Sequence, residues 1–287
     1  MSGSKTYKCP SCGAYLEFDP ATQRLKCPYC GASFQESELN AESEKQSAPE
    51  VRDTGSLKTY HCKSCGAQIV TSETTAATRC YYCHSPIVLT DRLDGDMLPD
   101  GVLPFEISEK DAKARFTEYL QKKRFVDRKF FSSAQLEMFS GVYYPYWLGT
   151  FSGTASFSGS ARKVHTVNTP RFIETHTRHF TISRKGTLKF PNMFRKALKQ
   201  TDRQLSDGIF PYKLDSLKPF DTSCLSGFVA EKRDIDEAPV MQDMLAEASA
   251  AAAAAMSDDL RGPYEGVTGS ASFEATKKDM RYVLLPA

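Results

Sequence analysis

Apolar positions recur along the chain at two different spacings, and each spacing predicts its own kind of element. After Ser108, a good N-cap, Ala112, Phe116, Tyr119 and Leu120 share one face, which predicts a helix running to Lys123. The stretch "GVYYPYWLGTFSGTASFSG" is rich in aromatic and β-branched residues; its glycines read as breaks, so it predicts a strand pair. "RFIETHTRHFTISRKGTLKF" continues as β-structure, with a turn expected at Arg184-Lys185-Gly186. Helical spacing returns after Pro239. There Val240, Met241, Met244, Leu245, Ala248, Ala252, Ala255 and Met256 form a stripe that Gly262-Pro263 ends. The run from Ala250 to Ala255 favours helix and lets a neighbour approach closely. "GVTGSASFEATKKDMRYVLLP" then returns to strand.

These elements imply an α+β fold in which residues 93–287 form one α+β domain with an antiparallel sheet and a long C-terminal helix. Ahead of it the pattern changes. "YKCPSCGAYLEFDPATQRLKCPYCGASF", from Tyr7, and "YHCKSCGAQIVTSETTAATRCYYCHSPI", from Tyr60, overlay at an offset of 53. They match at Tyr7/Tyr60, at four cysteine pairs, at Ser11/Ser64 and at Gly13-Ala14/Gly66-Ala67. The polar, acidic "QESELNAESEKQSAPEVRDTGS" between them reads as a flexible linker. The expected order is a first ribbon over 1–38, a linker over 39–56, a second ribbon over 57–92 and the α+β domain, with the ribbons as separate beads.

Eight of the nine cysteines form two sets, Cys9, Cys12, Cys27, Cys30 and Cys62, Cys65, Cys80, Cys83, each spaced C-x2-C, fourteen residues, C-x2-C. Two intervening residues let both sulfurs of a tight turn face a common centre, and two such turns complete a tetrahedron around Zn²⁺. Gly13, Gly31 and Gly66 follow the second cysteine of their turns, where the chain needs positive φ. His84 stands at that position in the fourth turn, at some strain. The expectation is two structural zinc ions per chain, each lending folding free energy to a unit too small to hold itself by burial. Iron in a four-thiolate site is the chemical alternative. Cys224, in "DTSCLSGF", has no cysteine or histidine beside it in sequence and reads as a buried, inert thiol.

Composition adds little: 287 residues, 40% hydrophobic, 25% charged, net charge +2. These values place the chain among ordinary globular proteins and require no polyanionic partner overall. No run approaches the roughly 18 apolar residues that span a bilayer, and "MSGSKTYKC" has no signal-peptide core. A reducing cytoplasm is therefore expected, where thiols stay free for metal. No phosphate-cradling loop, H-E-x-x-H or G-x-S-x-G occurs, and on a strand His176 and His179 would face opposite sides. Asp234, Asp236 and Glu237 read as complements to a helix start rather than an acid–base pair. No catalytic residue is expected.

Charge is uneven locally. From Arg162 to Arg203, eleven Lys and Arg stand against Glu174 and Asp202, a net of +9, with Phe172, Phe180, Phe190 and Phe194 interleaved. Cations with aromatics are how single-stranded nucleic acid is often held. Strand alternation produces the same interleaving on a solvated β-surface whose phenylalanines point inward, and that reading is preferred.

With the cysteine ribbons, "LPFEISEKDAKARF", "GVYYPYWL", "LSGFVAEKRDID" and "YVLLP" resemble the bacterial transcription factor IIB-type zinc-ribbon proteins, a family often labelled PriA-like replication-restart helicases. The resemblance covers nearly the whole chain and implies the eight cysteines as its sites. It also implies continuation past "YVLLP" into membrane-spanning sequence, so that membrane association would arise only beyond Ala287, with this part on the cytoplasmic side. The chain itself lacks the nucleotide-binding motif of a helicase. The expected function is a non-enzymatic zinc-ribbon adaptor with a protein partner. A nucleic-acid-binding accessory of replication or transcription, acting through the basic stretch, is the alternative.

Overall fold

The computed structural model describes residues 4–39, 57–123, 140–199 and 211–287. The first repeat holds β1 (Ser4–Lys5), β2 (Glu17–Asp19), β3 (Arg24–Lys26) and β4 (Ser33–Phe34); the second holds β5 (Leu57–His61), β6 (Gln68–Ser72), β7 (Thr75–Arg79) and β8 (Pro86–Leu89). Then follow β9 (Gly101–Val102), α1 (Glu109–Gln121), β10 (Val142–Asn168), β11 (Ile173–Lys196), β12 (Lys218–Pro219), β13 (Val229–Glu231), α2 (Glu237–Arg261) and β14 (Glu265–Pro286). Of the linker predicted over 39–56, all but Leu39 lies outside the described residues, as does the end of the basic stretch at Arg203.

The chain divides into two compact units, one of Met1–Tyr146, Lys196–Asp234 and Tyr282–Ala287, the other of Trp147–Arg195 and Ile235–Arg281. In the first, a sheet runs β1-β8-β7-β13-β10-β14-β9-β12. β13 and β10 are parallel, with Val142 opposite Val229, and so are β14 and β9, with Val283 opposite Gly101. β13 is antiparallel to β7, with Ala230 opposite Ala77. Every residue of β8 is buried, as are Tyr143, Val283, Leu284 and Leu285, the continuous apolar burial expected of interior strands. Beside this core, Phe105 stacks on Phe228 with ring centres 4.5 Å apart and meets Tyr143 edge-on at 4.9 Å. α1 starts where the sequence places it: the Ser108 hydroxyl accepts from the Asp111 amide.

The second unit contains the long parts of β10, β11 and β14 and the helix α2. Ser156 meets Ser272 and Ser160 meets Thr268, hydroxyl to hydroxyl at 2.8 and 3.0 Å, so β10 and β14 run antiparallel. Phe157, Ala161 and Ile182 bury themselves with Leu260 of α2, and Phe180, Met256 and Tyr264 pack around them. The Trp147 indole N–H donates to the Ile235 carbonyl at 3.0 Å, just ahead of α2.

The α+β expectation needs correction. The described residues are dominated by a large mixed sheet rather than an antiparallel one, only two α-helices accompany it, and the last long element of the chain is the strand β14, not a helix. β9 and β12 are two residues each, too short for any alternation to announce them, yet β9 supplies a parallel pairing. The predicted strand pair is one unbroken strand, β10. Its glycines are places of close approach: a Cβ on Gly153 would sit 2.0 Å from the Glu274 carbonyl oxygen, and one on Gly159 2.2 Å from that of Thr268. The turn expected at Arg184-Lys185-Gly186 is absent, because β11 runs straight through it with Gly186 facing Met256.

Gly153→Ala should therefore destabilise the protein by about 3 kcal/mol or more, since backbone rather than a flexible side chain must yield. Gly186→Ala, where the new carbon would lie 3.5 Å from the mobile end of Met256, should change stability by less than about 1 kcal/mol. Urea unfolding midpoints measure both, and equal stability of the two variants would contradict the close approach.

Candidate metal centres

Four turns of the same design carry the eight cysteines. In each, the first cysteine's amide donates to the carbonyl five residues on, and the amide four residues on donates back to that cysteine's carbonyl. The pairs are Cys9/Ala14 and Gly13/Cys9, then Cys27/Ala32 and Gly31/Cys27; in the second repeat they are Cys62/Ala67 and Gly66/Cys62, then Cys80/Ser85 and His84/Cys80, all at 2.7–3.0 Å. The residue after the second cysteine must turn left-handed: Gly13, Gly31 and Gly66 have φ of 75°, 74° and 73°, and His84 has 57°. The first cysteine of each turn is buried and the second exposed.

The turns bring the sulfurs together in two sets, each within 4.8 Å throughout. Cys9–Cys30 and Cys12–Cys27 lie 3.6 and 3.5 Å apart, Cys62–Cys83 and Cys65–Cys80 3.6 and 3.7 Å. All eight thiols are free. A tetrahedron with metal–sulfur bonds of about 2.3 Å has edges of about 3.8 Å, so both sets fit one metal ion each with little movement. Their electrostatics agree. The Cys30 amide, directed at Cys27 Sγ from 3.5 Å, leads in lowering that thiol to about 7. Burial opposes ionisation of Cys83, but the Ser85 hydroxyl at 3.0 Å and the Ser85 amide outweigh it and bring the thiol to about 6. The Ala14 amide favours ionisation of Cys12, but the Cys27 sulfur and burial outweigh it and push the thiol up to about 12. Four thiolates cannot share so small a space unless a cation neutralises them.

The two repeats are not separate beads, as the sequence suggested. β1, which leads into the first repeat, pairs with β8 of the second, Ser4 opposite Leu89 and Lys5 opposite Val88. β7 and β8 flank the turn at Cys80 and pair antiparallel, and β7 continues the sheet to β13. The first repeat is tied to the segment before β13: the Ser226 hydroxyl donates to the Leu16 carbonyl at 2.8 Å and the Phe18 amide to the Ser226 carbonyl at 2.9 Å. Arg79 donates from Nε and Nη2 to the Gly227 carbonyl and meets Glu17 at 3.2 Å.

Two tyrosines that the repeat matched, but that no motif flagged, anchor this packing. Tyr7 donates to Glu36 Oε1 at 2.7 Å and lies 2.9 Å from the Thr222 hydroxyl. The Tyr60 hydroxyl donates to Asp91 at 3.1 Å and accepts from Arg92 Nε at 2.9 Å. Arg92 is buried and also donates to the Ser72 and Thr75 carbonyls, clamping β6 to β7. Burial disfavours charge on Glu36, yet the Asp221 carboxyl, Lys5 and Tyr7 together hold it down to about 2, while burial and Glu36 push Asp221 up.

The remaining candidates behave as structure. Cys224 is buried, and burial followed by Asp221 pushes its thiol up to about 12, as an inert thiol requires. His176 is exposed and lies 3.0 Å from Glu174, while His165 and His179 are exposed on the strands. Asp234 accepts from the Lys199 amide at 2.9 Å, and Asp236 is the N-cap residue of α2. Within the basic stretch, Phe180 and Phe190 are half-buried and meet Tyr264 and Phe273 edge-on, as the solvated-surface reading expects, whereas Phe172 is exposed. Among the described residues no helix is long and apolar enough to cross a membrane.

The described fold and sites define a chain with two four-cysteine groups, each able to hold a metal ion, built into a mixed β-structure. The chain is similar to the "Uncharacterized protein YdjG" of Bacillus subtilis (strain 168), 28% identical over 227 residues that cover 79% of this chain and 65% of that protein. The match thus spans just under two thirds of the relative's length. No protein-family profile and no solved structure matches the chain.

Two outcomes follow for the centres. Elemental analysis should return two metal ions per chain, and Cys80→Ser should lower this to about one while also lowering the melting temperature of the Met1–Tyr146 unit, because β7 and β8 carry the sheet beyond the turn. A melting curve unmoved by Cys80→Ser would contradict that integration. Glu36 supplies the pH dependence. Its folded value near 2 lies below the ordinary 4.5, so its stabilisation is present above about pH 4.5 and is lost as pH falls towards 2. Glu36→Gln should therefore be less stable than the parent at neutral pH, the gap closing as the pH is lowered through that window, as followed by denaturant titrations.

Proposed function

We propose that the chain is a zinc-binding adaptor, acting without catalysis in the cytoplasm, whose two structural Zn²⁺ ions hold a docking surface for a protein partner. The observation that carries this reading is the design of the turns Cys27–Cys30 and Cys80–Cys83. Each directs its buried first sulfur inward while raising bare aromatic rings at its tip: Tyr29 is 89% exposed, Tyr81 and Tyr82 each 72%. Tyrosines held on rigid turns lose little entropy on binding and dominate protein interfaces, whereas a folding role would have buried them. Four protein sulfurs per centre fill a tetrahedral zinc ion, which suits a structural metal rather than one that activates water. The four-sulfur donor set suits zinc and iron alike, and zinc is preferred because the adaptor reading makes no redox demand. Kinship with the IIB-type zinc-ribbon family belongs to this proposal and is supported by the quoted stretches alone.

The test replaces the tips without touching the ligands. Tyr29→Ser with Tyr81→Ser and Tyr82→Ser should leave two zinc ions per chain and an unchanged melting temperature, yet remove the partner recovered by quantitative cross-linking in the native cytoplasm. Partner recovery that survives the triple change, with zinc retained, would defeat the docking role. Iron in place of zinc in protein made without added metal would defeat the metal assignment.

A further inference from the structure

We propose that the hairpin joining β10 to β11 is a DNA-binding arm that enters the major groove of a duplex. This goes beyond the adaptor reading, because it concerns other residues, in the Trp147–Arg195 part of the second unit, and another class of partner.

The arm is defined by what stops covering it. Ser160 pairs with Thr268 of β14, and β14 begins only at Glu265, so β10 and β11 run on past residue 163 or so without their third strand. The buried cluster with α2 ends at Ala161 and Ile182. Beyond it, residues 165–168 and 170–179 are all exposed, on both faces of the ribbon. The strands stay in register, with the Thr166 and Thr175 hydroxyls 3.5 Å apart, and a tight turn closes the end where the Thr169 hydroxyl and amide both donate to the Phe172 carbonyl. A two-stranded ribbon that no described residue covers on either face gains almost nothing from the hydrophobic effect within the described fold. Its tip nevertheless carries Phe172, 58% exposed, and Ile173, 72% exposed.

Charge and shape select the partner. Arg162, Lys163, Arg171 and Arg178 face solvent on or beside the arm, and the carboxylate of Glu174 is engaged by His176 at 3.0 Å. The surface is therefore complementary to a polyanion. Two strands about 4.8 Å apart with their side chains match a groove about 12 Å wide, the major groove of B-form DNA, and residues 164–168 supply roughly 15 Å of reach. The narrow major groove of A-form RNA would exclude such a ribbon. Between Arg162, Lys163 and Arg178 and the tip lie Thr166, Asn168, Thr175 and Thr177, short hydrogen-bonding groups suited to base edges and costly to sink into a bilayer. Phe172 at the tip is placed to meet thymine methyls or a base step.

Binding of the full, metal-loaded chain can be followed by fluorescence anisotropy with a duplex of about two helical turns, the matching single strand, and phosphatidylserine vesicles, each over a range of salt. The duplex should bind about tenfold more tightly than either alternative at the same salt. Arg171→Ser with Arg178→Ser should weaken duplex binding about tenfold and shallow the log–log salt slope by about 1.8, at about 0.9 for each phosphate no longer neutralised. Phe172→Ser should weaken binding with the slope unchanged, since it removes no charge. All three positions are exposed, so melting temperatures should not move. Binding to the duplex that both sets of changes leave intact, preference for the single strand, or preference for the vesicles would each overturn the arm. None of these outcomes bears on the tyrosine tips.

Discussion

Everything built from the first ninety or so residues depends on one backbone constraint, the left-handed residue after each C-x2-C pair. With φ near +75° at Gly13, Gly31 and Gly66, the amide of that residue can return to the first cysteine's carbonyl, and the chain reverses within six residues. The reversal sets the two sulfurs on one side and launches an antiparallel pair. At Cys80 that pair is β7 and β8, and β7 passes the register to β13 and so to β10. A metal ion held there would stabilise more than a small ribbon: loss of the turn would remove an edge from the sheet in which Tyr143 and Val283 are buried.

The centres were legible because their chemistry is local. Spacing alone fixes which sulfurs can converge, and the glycines say how the chain turns, so all eight cysteines fall where the sequence puts them. The architecture around them was not legible, for reasons that are also physical. The acidic stretch between the repeats suggested independence, but independence is decided by long-range pairings such as Ser226 to Leu16 and Ser4 opposite Leu89, which leave no periodic trace. Parallel pairing of β10 with β13 is hidden in the same way, since β13 is three residues long. The helices follow from a local signal and stand where the stripes place them, at Glu109–Gln121 and Glu237–Arg261. Tyr7 and Tyr60 lie between these cases: their match across the repeats was visible, their hydrogen-bonding role was not.

Glycine carried two opposite meanings, and only the environment separates them. In "LGTFSGTASFSG" the residues read as breaks, yet Gly153 and Gly159 sit in continuous strand where the backbone of β14 comes too close for any Cβ. In the cysteine turns the same residue is needed for its positive φ, with open space around the missing side chain. A reader of sequence sees one residue type; the first use tightens a strand pair and the second reverses the chain.

The basic stretch resolves by the same logic of what covers what. From Phe180 onward, Phe180 and Phe190 turn to Tyr264 and Phe273, Arg184, Lys185 and Lys189 are exposed, Arg195 meets Glu247, and Lys196 lies over the Tyr144 ring. Before Phe180 the packing ends while the cations continue, so the interleaving that alternation explains in one half has no such explanation in the other. Exposed aromatic rings recur at the tips of the cysteine turns, again where the fold itself has no use for them. Burial stabilises a side chain by removing it from water, so rings held outward on rigid turns contribute nothing until another surface removes them. Under the proposed reading the chain thus presents two prepared surfaces of different chemistry, aromatic at the metal-held turns and cationic along the ribbon, and an adaptor needs two such surfaces to bring a protein and a nucleic acid together.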